Sequence, residues 1–578
     1  MMIKVMRRGL IGACLLFLLC FAGIPGSVLF PGGGLAGDFT LTILHLNDTH
    51  SHLDATWVSH PCGEGDLKTE LGGFPRLATA VRSIREKGQP LLFLHGGDMV
   101  RGSLYFTRYG GRADVDLLNA IGLDAATLGN HDFDQGPEVV SRLMEKASFP
   151  FVSANIDASR EPSLAGKIKP YIIRSFDGKK VAVIGVTTPS TAYIAQPGDG
   201  VSFGKVVPRV AAAVREVQAK GVEKIIVLSH IGYDEDLRLA RTVAGIDVIV
   251  GGHSHTLLGR RGDFCRRDGL CLTPSGDYPT VVRGPEGKTV LVVQAWEWGK
   301  LLGNLEVSFD VRGDVTAWRA QPVVVAGDSI PGSPKGEKRG ETLLSGGSED
   351  GGTCLPPRVR QYEKDPHVQE RLDVYATPLN AFRHTSIATS EDDCKRRAPF
   401  GPGRLVAESM LWKTRFLGTR AALQNAGGVR CDMPAGEITI GMVYEILPFD
   451  NTLHVIDLTG SQLHRTVEEL IRAQMRGRRG SGVYTAGLTF HVKPGAPFGK
   501  RVTGLRIRKD GDGGYERVRR NAVYRIAVQD YLARGGDGCK TLAGATRYRQ
   551  DTGFVDAEVF IEYLRQIRGV VACPAGKR

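Results

Sequence analysis

LTILHLNDTHSH, residues 41–52, reads as a buried strand that runs directly into a polar cluster, with Asp48 and His50 one residue apart just past its end. The same pattern recurs along the chain. The apolar runs PLLFLH (90–95), DAATL (124–128), KIIVLS (224–229) and IDVIVG (246–251) lead into Gly97-Asp98, Gly129-Asn130-His131-Asp132, Ser229-His230 and Gly252-His253-Ser254-His255. If these strands lie side by side, their C-terminal ends form one rim, and loops on a rigid sheet are where catalytic groups concentrate. Residues as far apart as Asp48 and His255 then share a pocket.

Carboxylate, amide oxygen and imidazole suit divalent zinc, manganese, iron or cobalt, and the clusters contain no cysteine for a thiolate zinc site. Asp48, His50, Asp98, Asn130, His230, His253 and His255 are too many donors for one tetrahedral ion. They suit two divalent metal ions that share a carboxylate. Two ions about 3.5–4 Å apart can clamp a phosphoryl group and supply a hydroxide for in-line attack. Any one of these residues alone is more often a cap or a satisfied core group; the set carries the inference.

The order D-x-H, G-D, G-N-H-D, H, G-H-S-H resembles the calcineurin-like metallophosphatases. The fuller strings ILHLNDTHSH (43–52), LGNHDFDQG (128–136) and GGHSH (251–255), with QNAGGVR (424–430) and LARGGDG (532–538), resemble the two-domain 5'-nucleotidase family, which includes the periplasmic UDP-sugar hydrolases. The resemblance extends from about Leu41 to about Leu564. It implies an α/β chain: a four-layer αββα metallophosphatase sandwich followed by a smaller α/β nucleotide-binding domain. It further implies one metal on Asp48, His50 and His255, a second on Asn130, His230 and His253, and Asp98 bridging them. His131, oriented by Asp134, donates to the phosphoryl oxygens, a way of stabilising charge that develops in the transition state. Asp132 takes a structural role, and His45, His52 and His95 support the site or pack beside it.

The downstream motifs imply a nucleotide substrate. Phe449 and Tyr531 offer flat faces for a base, where stacking contributes about 1–3 kcal/mol. Asp537 accepts from ribose hydroxyls, Asn425 addresses a base edge, and Arg430 and Arg396 present planar forks to anionic or sugar oxygens. Two departures stand out. Pro399 and Gly403-Arg404-Leu405 replace the family's Glu and Gly-Asn-Leu after the first arginine region, and Tyr531 stands where a Phe is usual. The implied activity is phosphate release from nucleoside 5'-phosphates. Hydrolysis of 2',3'-cyclic nucleotides or UDP-sugars, a thiosulfohydrolase-like reaction, and a non-catalytic nucleotide-binding surface protein are the alternatives.

At 578 residues the chain exceeds one typical domain, and 42% hydrophobic with 24% charged residues suits globular structure. The basic start (Lys4, Arg7, Arg8), the apolar stretch to Ile24 and Gly34-Leu35-Ala36 read as a signal peptide, residues 1–36, on an exported, periplasmic or secreted protein. No stable membrane span is then expected after cleavage; a retained anchor is the alternative. The metallophosphatase domain is expected over 37–326, a polar Gly/Ser-rich linker over 327–367 and the substrate-binding domain over 368–578. Residues 137–147 and 207–221 read as helices, and 290–296 and 301–309 as the first domain's last strands. Eight cysteines remain after the signal, an even number that suggests disulfides, with Cys265 and Cys271 the best local pair. The net charge of +12 suits anionic substrates. The basic runs 472–479 and 505–509 read as solvated faces, with no nucleic-acid partner expected.

Overall fold

The computed structural model describes residues 38–62, 65–260, 264, 274–331, 358–395, 401–449, 451–475, 482–509, 514–567 and 570–571. The expected signal, Arg396 and the Cys265–Cys271 pair lie outside them.

Strand Phe39–Leu46 shows why its sequence is apolar nearly throughout. Leu41 and Ile43 point into a core between two sheets, while Leu44 and Leu46 point into the core under the covering helices. A strand buried on both faces needs apolar side chains on both. It runs parallel to Leu91–His95, which is followed by Ala125–Thr127 and Phe151–Val152 in a ten-stranded mixed sheet. A second, six-stranded sheet carries the parallel run Lys179–Thr187, Lys224–His230, Val248–Gly251 and Thr289–Gln294.

The sheets pack face to face through Leu92 and Leu94 on one side and Val183, Ile226, Leu228, Val250 and Val293 on the other. Helices Phe74–Arg85, Arg112–Ile121 and Pro137–Lys146 cover the outer face of the first sheet, and Val206–Ala219 and Tyr233–Thr242 that of the second. The four-layer αββα sandwich is therefore present. Both parallel runs end on the same rim, which brings the polar clusters together.

Leu301–Phe309 is not the last strand of this region, contrary to expectation. Val315–Ala320 and Val323–Pro331 fold back antiparallel on it, and Val359–Gln361 then pairs with Val323–Pro331. Gly313, at φ 89°, makes the reversal that returns the chain along the same edge. Helix Pro366–Arg383 follows and packs Val368, Leu372, Tyr375 and Leu379 into the core shared with the first-half helices. Tyr109 Oη donates to the Tyr375 carbonyl at 2.7 Å, and Arg371 pairs with Asp116 at 2.8 Å.

The second half centres on a five-stranded sheet in the order Val483–Ala486, Ala421–Asn425, Val523–Gln529, Thr452–Thr459, Arg549–Val555. Helices Pro402–Thr414, Gly460–Met475 and Asp556–Gln566 pack against it. Among the described residues, no helix is long and apolar enough to cross a membrane.

The two sheets of the sandwich approach closely at Gly185, where an added Cβ would lie 2.0 Å from the Val152 carbonyl oxygen. Gly185→Ala should separate the strands that carry the rim and cost about 1–3 kcal/mol. A thermal midpoint equal to wild type would show that the junction yields without strain.

Candidate active site

The rim turns sharply after each strand. Asp48, His50, Asp98, His253 and His255 all have positive φ, between 48° and 75°. Non-glycine residues avoid this conformation unless the surroundings enforce it, and such strain concentrates at functional sites. Here it folds each loop back so that the side chains point into one pocket.

Two donor groups result. Asp48, His50 and His255 form one, and Asp98, His230 and His253 the other; within each group the donor atoms all lie within 4.8 Å of one another. Asp98 Oδ2 is 3.0 Å from His230 Nε2 and 3.9 Å from His50 Nε2, so this carboxylate stands between the groups. Asn130 Oδ1 lies 3.3 Å from His230 Nε2, beside the second group. All seven residues named from the sequence therefore converge.

The imidazoles are held from behind. His50 Nδ1 donates to the Arg101 carbonyl at 3.1 Å and His230 Nδ1 to the Gly96 carbonyl at 2.7 Å. A carbonyl only accepts, so these contacts place hydrogen on Nδ1 and direct Nε2 into the pocket. His255 Nδ1 faces Glu297 Oε2 at 3.0 Å, and Glu297 also binds Lys300 Nζ at 3.0 Å. The Lys300 ammonium lies 3.8 Å from the Trp298 ring centroid and 4.8 Å from that of Trp296. Trp298 in turn stacks on His52 at 4.1 Å.

Asp132 collects the N–H groups of Gly129 at 2.8 Å and of Asp98 and Met99 at 3.2 Å, tying two rim loops together. His45 bonds Tyr278 Oη at 2.7 Å and His95 bonds Thr49 Oγ1 at 3.0 Å, supporting positions for both.

Charge decides what the pocket accepts. Burial lowers His50 to about 3 and His253 to about 4, leaving neutral imidazoles suited to a cation. Burial also works against a proton on His230, but the Asp98 carboxylate outweighs it and raises that group to about 9. Asp48 and Glu297 likewise outweigh burial and raise His255 well above the ordinary range. The buried carboxylates thus demand positive charge, which protons or divalent cations can meet. These residues fit a metal pair in donor type, convergence and charge.

His131 is buried beside the donor groups, its ring centroid 5.3 Å from that of His50. Its Nδ1 faces Asp134 Oδ2 at 2.6 Å, and its N–H donates to Asp98 Oδ1 at 2.8 Å. Burial lowers its pKa, but Asp134 and Asp98 prevail and hold it at about 9. The second half of the chain reaches this imidazole: a Cβ added to Gly553 would fall 1.5 Å from His131 Nε2. The nearby Asp551 takes the Gly553 N–H at 2.9 Å and lies 3.1 Å from His454 Nε2.

The downstream residues group as follows. Asn425 Nδ2 and Tyr531 Oη donate to the two oxygens of Asp537 at 3.1 and 3.2 Å. The Arg430 guanidinium lies 5.5 Å from the Phe449 ring centroid. Phe449 and Tyr531 are 46% and 45% exposed, so their faces are open to a ligand. Cys431 and Cys539 are free thiols, and Cys394 is disulfide-bonded. Among the described residues, disulfide bonding thus stands beside free thiols.

Arg101, Glu297, Asp551, Gly553 and Glu558 escaped the sequence analysis. Only Glu297, two residues before Gly299 and inside the aromatic string Trp296-Glu297-Trp298, carried a local signal.

Residues 41–257 match the calcineurin-like phosphoesterase family, and residues 384–544 match the 5'-nucleotidase C-terminal domain. The chain is 34% identical over 558 residues to a probable 5'-nucleotidase of Treponema pallidum, covering 92% of each. It is 32% identical to the NAD 5'-nucleotidase of Haemophilus influenzae, covering 91% of this chain and 90% of that one. Among solved structures, the H. influenzae NAD nucleotidase superposes with a TM-score of 0.78 at 28% identity, over 93% of this chain and 98% of that one. The 5'-nucleotidase precursor of Thermus thermophilus gives 0.57 at 40% identity, over 93% and 99%.

In the absence of cations, Asp98 overcomes burial and raises His230 to about 9, and Asp48 with Glu297 overcomes burial and raises His255. Loading zinc at pH 7 should therefore release protons, and affinity should rise as pH approaches 9. Calorimetry in buffers of different ionisation enthalpy measures the release; a buffer-independent heat would contradict the assignment.

Proposed function

The chain belongs to the two-domain 5'-nucleotidase family of calcineurin-like phosphoesterases and is a metal-dependent phosphoester hydrolase, and from that premise we propose that it is an exported enzyme that uses two divalent cations to release phosphate from nucleoside 5'-phosphates. One observation carries the proposal. Asp98, in one of the two donor groups, faces His50 of the other, and His131 stands beside them, on the rim that the second half of the chain covers.

When bound, a pair of divalent cations neutralises phosphoryl charge and supplies a nucleophile near neutral pH. The protein performs the remaining tasks. Asp48, His50 and His255 hold one cation, Asn130, His230 and His253 the other, and Asp98 serves both. His131, with Nδ1 fixed by Asp134, keeps its proton below about pH 9 and offers Nε2–H to a phosphoryl oxygen. Phe449 and Tyr531 grip the base. Asp537, already bonded to Asn425 and Tyr531, retains lone pairs for ribose hydroxyls, and Arg430 supports the Phe449 side. Arg396 remains assigned to substrate from its motif alone.

In this scheme the sandwich performs the hydrolysis and 368–578 grip the nucleoside; residues 327–367 connect them but also lend the sandwich the end of strand Val323–Pro331 and strand Val359–Gln361, and 1–36 direct export. The metals are zinc, manganese, iron or cobalt.

Phosphate release from AMP should vanish with a chelator and return with divalent metal. Asp98→Ala and His131→Ala should each lower kcat by about 10²–10³ or more. Phe449→Ala should mainly raise KM, by about tenfold for a stacking loss of 1–3 kcal/mol. Normal turnover by Asp98→Ala would refute the two-cation scheme, and preference for cyclic nucleotides or UDP-glucose would redirect the substrate assignment.

The pH profile supplies a separate test. A raised pKa keeps His131 protonated until pH climbs through about 9, so kcat should fall there on the alkaline side. Asp134→Asn removes the raising charge and should move that fall to lower pH. An alkaline limb indifferent to Asp134→Asn would exclude His131 as the donor.

A further inference from the structure

Arg101 is 6% exposed, has φ 76°, and has no part in the roles assigned above beyond lending its carbonyl to His50. Its guanidinium faces three carboxylates. Nε lies 3.0 Å from Asp134 Oδ2 and 2.8 Å from Glu558 Oε2, and a terminal nitrogen lies 3.4 Å from Glu562 Oε1. The Nε–H is shared between two acceptors and aligned with neither.

Glu558 and Glu562 sit one turn apart on helix Asp556–Gln566, in the second half of the chain. Glu558 also receives the Gly102 N–H at 3.4 Å, and Glu562 binds Lys413 at 2.5 Å, so the helix presents these carboxylates in fixed positions.

Asp134 Oδ2 is the oxygen on which everything meets. It accepts from His131 Nδ1 at 2.6 Å and faces Arg101 Nε at 3.0 Å. Two donors on one oxygen compete for its direction. With Glu558 in place, Arg101 divides its charge between two carboxylates. Without the Glu558 charge the guanidinium moves fully onto Asp134, and without the guanidinium Asp134 loses the second group that fixes its carboxylate; either change lets Oδ2 leave the line that aims His131.

We propose that Arg101 is a positioning residue that makes the aim of His131 depend on the docked helix Asp556–Gln566, with Glu558 sharing its guanidinium with Asp134. This rests on the proposed role of His131 at the phosphoryl group. An ion cluster that merely fastened two surfaces would alter stability and leave the chemical step alone, whereas a positioning role lowers kcat without altering ground-state binding.

The test uses the full-length, metal-loaded enzyme with AMP and with p-nitrophenyl phosphate, a substrate that needs no base site. Glu558→Gln preserves shape and removes the charge; it should lower kcat about tenfold on both substrates, with KM within about twofold and metal content unchanged. Arg101→Met should lower kcat at least as much, and Arg101→Lys should recover part of the loss. In the double variant Arg101→Met with Glu558→Gln, the second change should add nothing, because Glu558 acts through the guanidinium. Wild-type kcat in Glu558→Gln, with only a lower melting point, would reduce the cluster to a fastener and overturn the proposal, as would multiplicative losses in the double variant. A wild type that cleaves p-nitrophenyl phosphate but not AMP would overturn the nucleotide assignment while leaving the kcat comparison decisive for Arg101.

Discussion

Two carboxylates, Asp48 and Asp98, are buried within a few ångströms of four imidazoles, and the rest of the site is arranged around their charge. Isolated carboxylates in such surroundings would be strongly disfavoured. Cationic partners resolve the conflict, and the protein surrounds the pair with groups able to bind metals or hold protons. The same carboxylates organise backbone as well as ligands: Asp48 accepts the His253 N–H, and Asp98 accepts that of His131. Electrostatics and loop geometry are therefore one problem, solved by the same side chains.

The sandwich makes that solution possible by distributing its cost. Strand-end residues in left-handed conformations are strained individually, but each is anchored to an independent piece of core. Asp132 joins the Asp98 loop to the Gly129 loop through three N–H groups. His255 is held by a separate relay through Glu297, Lys300 and two indoles. Losing one support leaves the others, yet each fixes a different nitrogen or oxygen in the pocket.

The convergence of the donor side chains was legible in the sequence because strand and donor are contiguous. LTILHLNDTHSH contains both the apolar run that builds the sheet and the donors that its end presents. The αββα layers followed from the same runs and the resemblance of their motifs. The strands Val315–Ala320 and Val323–Pro331 were harder to see: the first is half-exposed, and Gly327-Asp328 in the second resembles the onset of a linker. Arg101, Asp551, Gly553 and Glu558 were not legible for a different reason. An arginine followed by glycine, or an acid on a helix, acquires its role only when residues some 450 positions apart approach, as Arg101 and Glu558 do. Local patterns encode what a residue can do, while the packing of the two halves decides what it does.

Gly553 places bare main chain, with no side chain, against the outer nitrogen of His131. The space beside that nitrogen therefore exists only while position 553 carries no side chain, since an added Cβ would lie 1.5 Å from it. Evolutionary drift nearby can alter the charge or size of the walls, but the height above the imidazole stays tied to where a whole strand runs. Phe449 and Tyr531, by contrast, stand exposed, where exchanging a side chain leaves the fold in place.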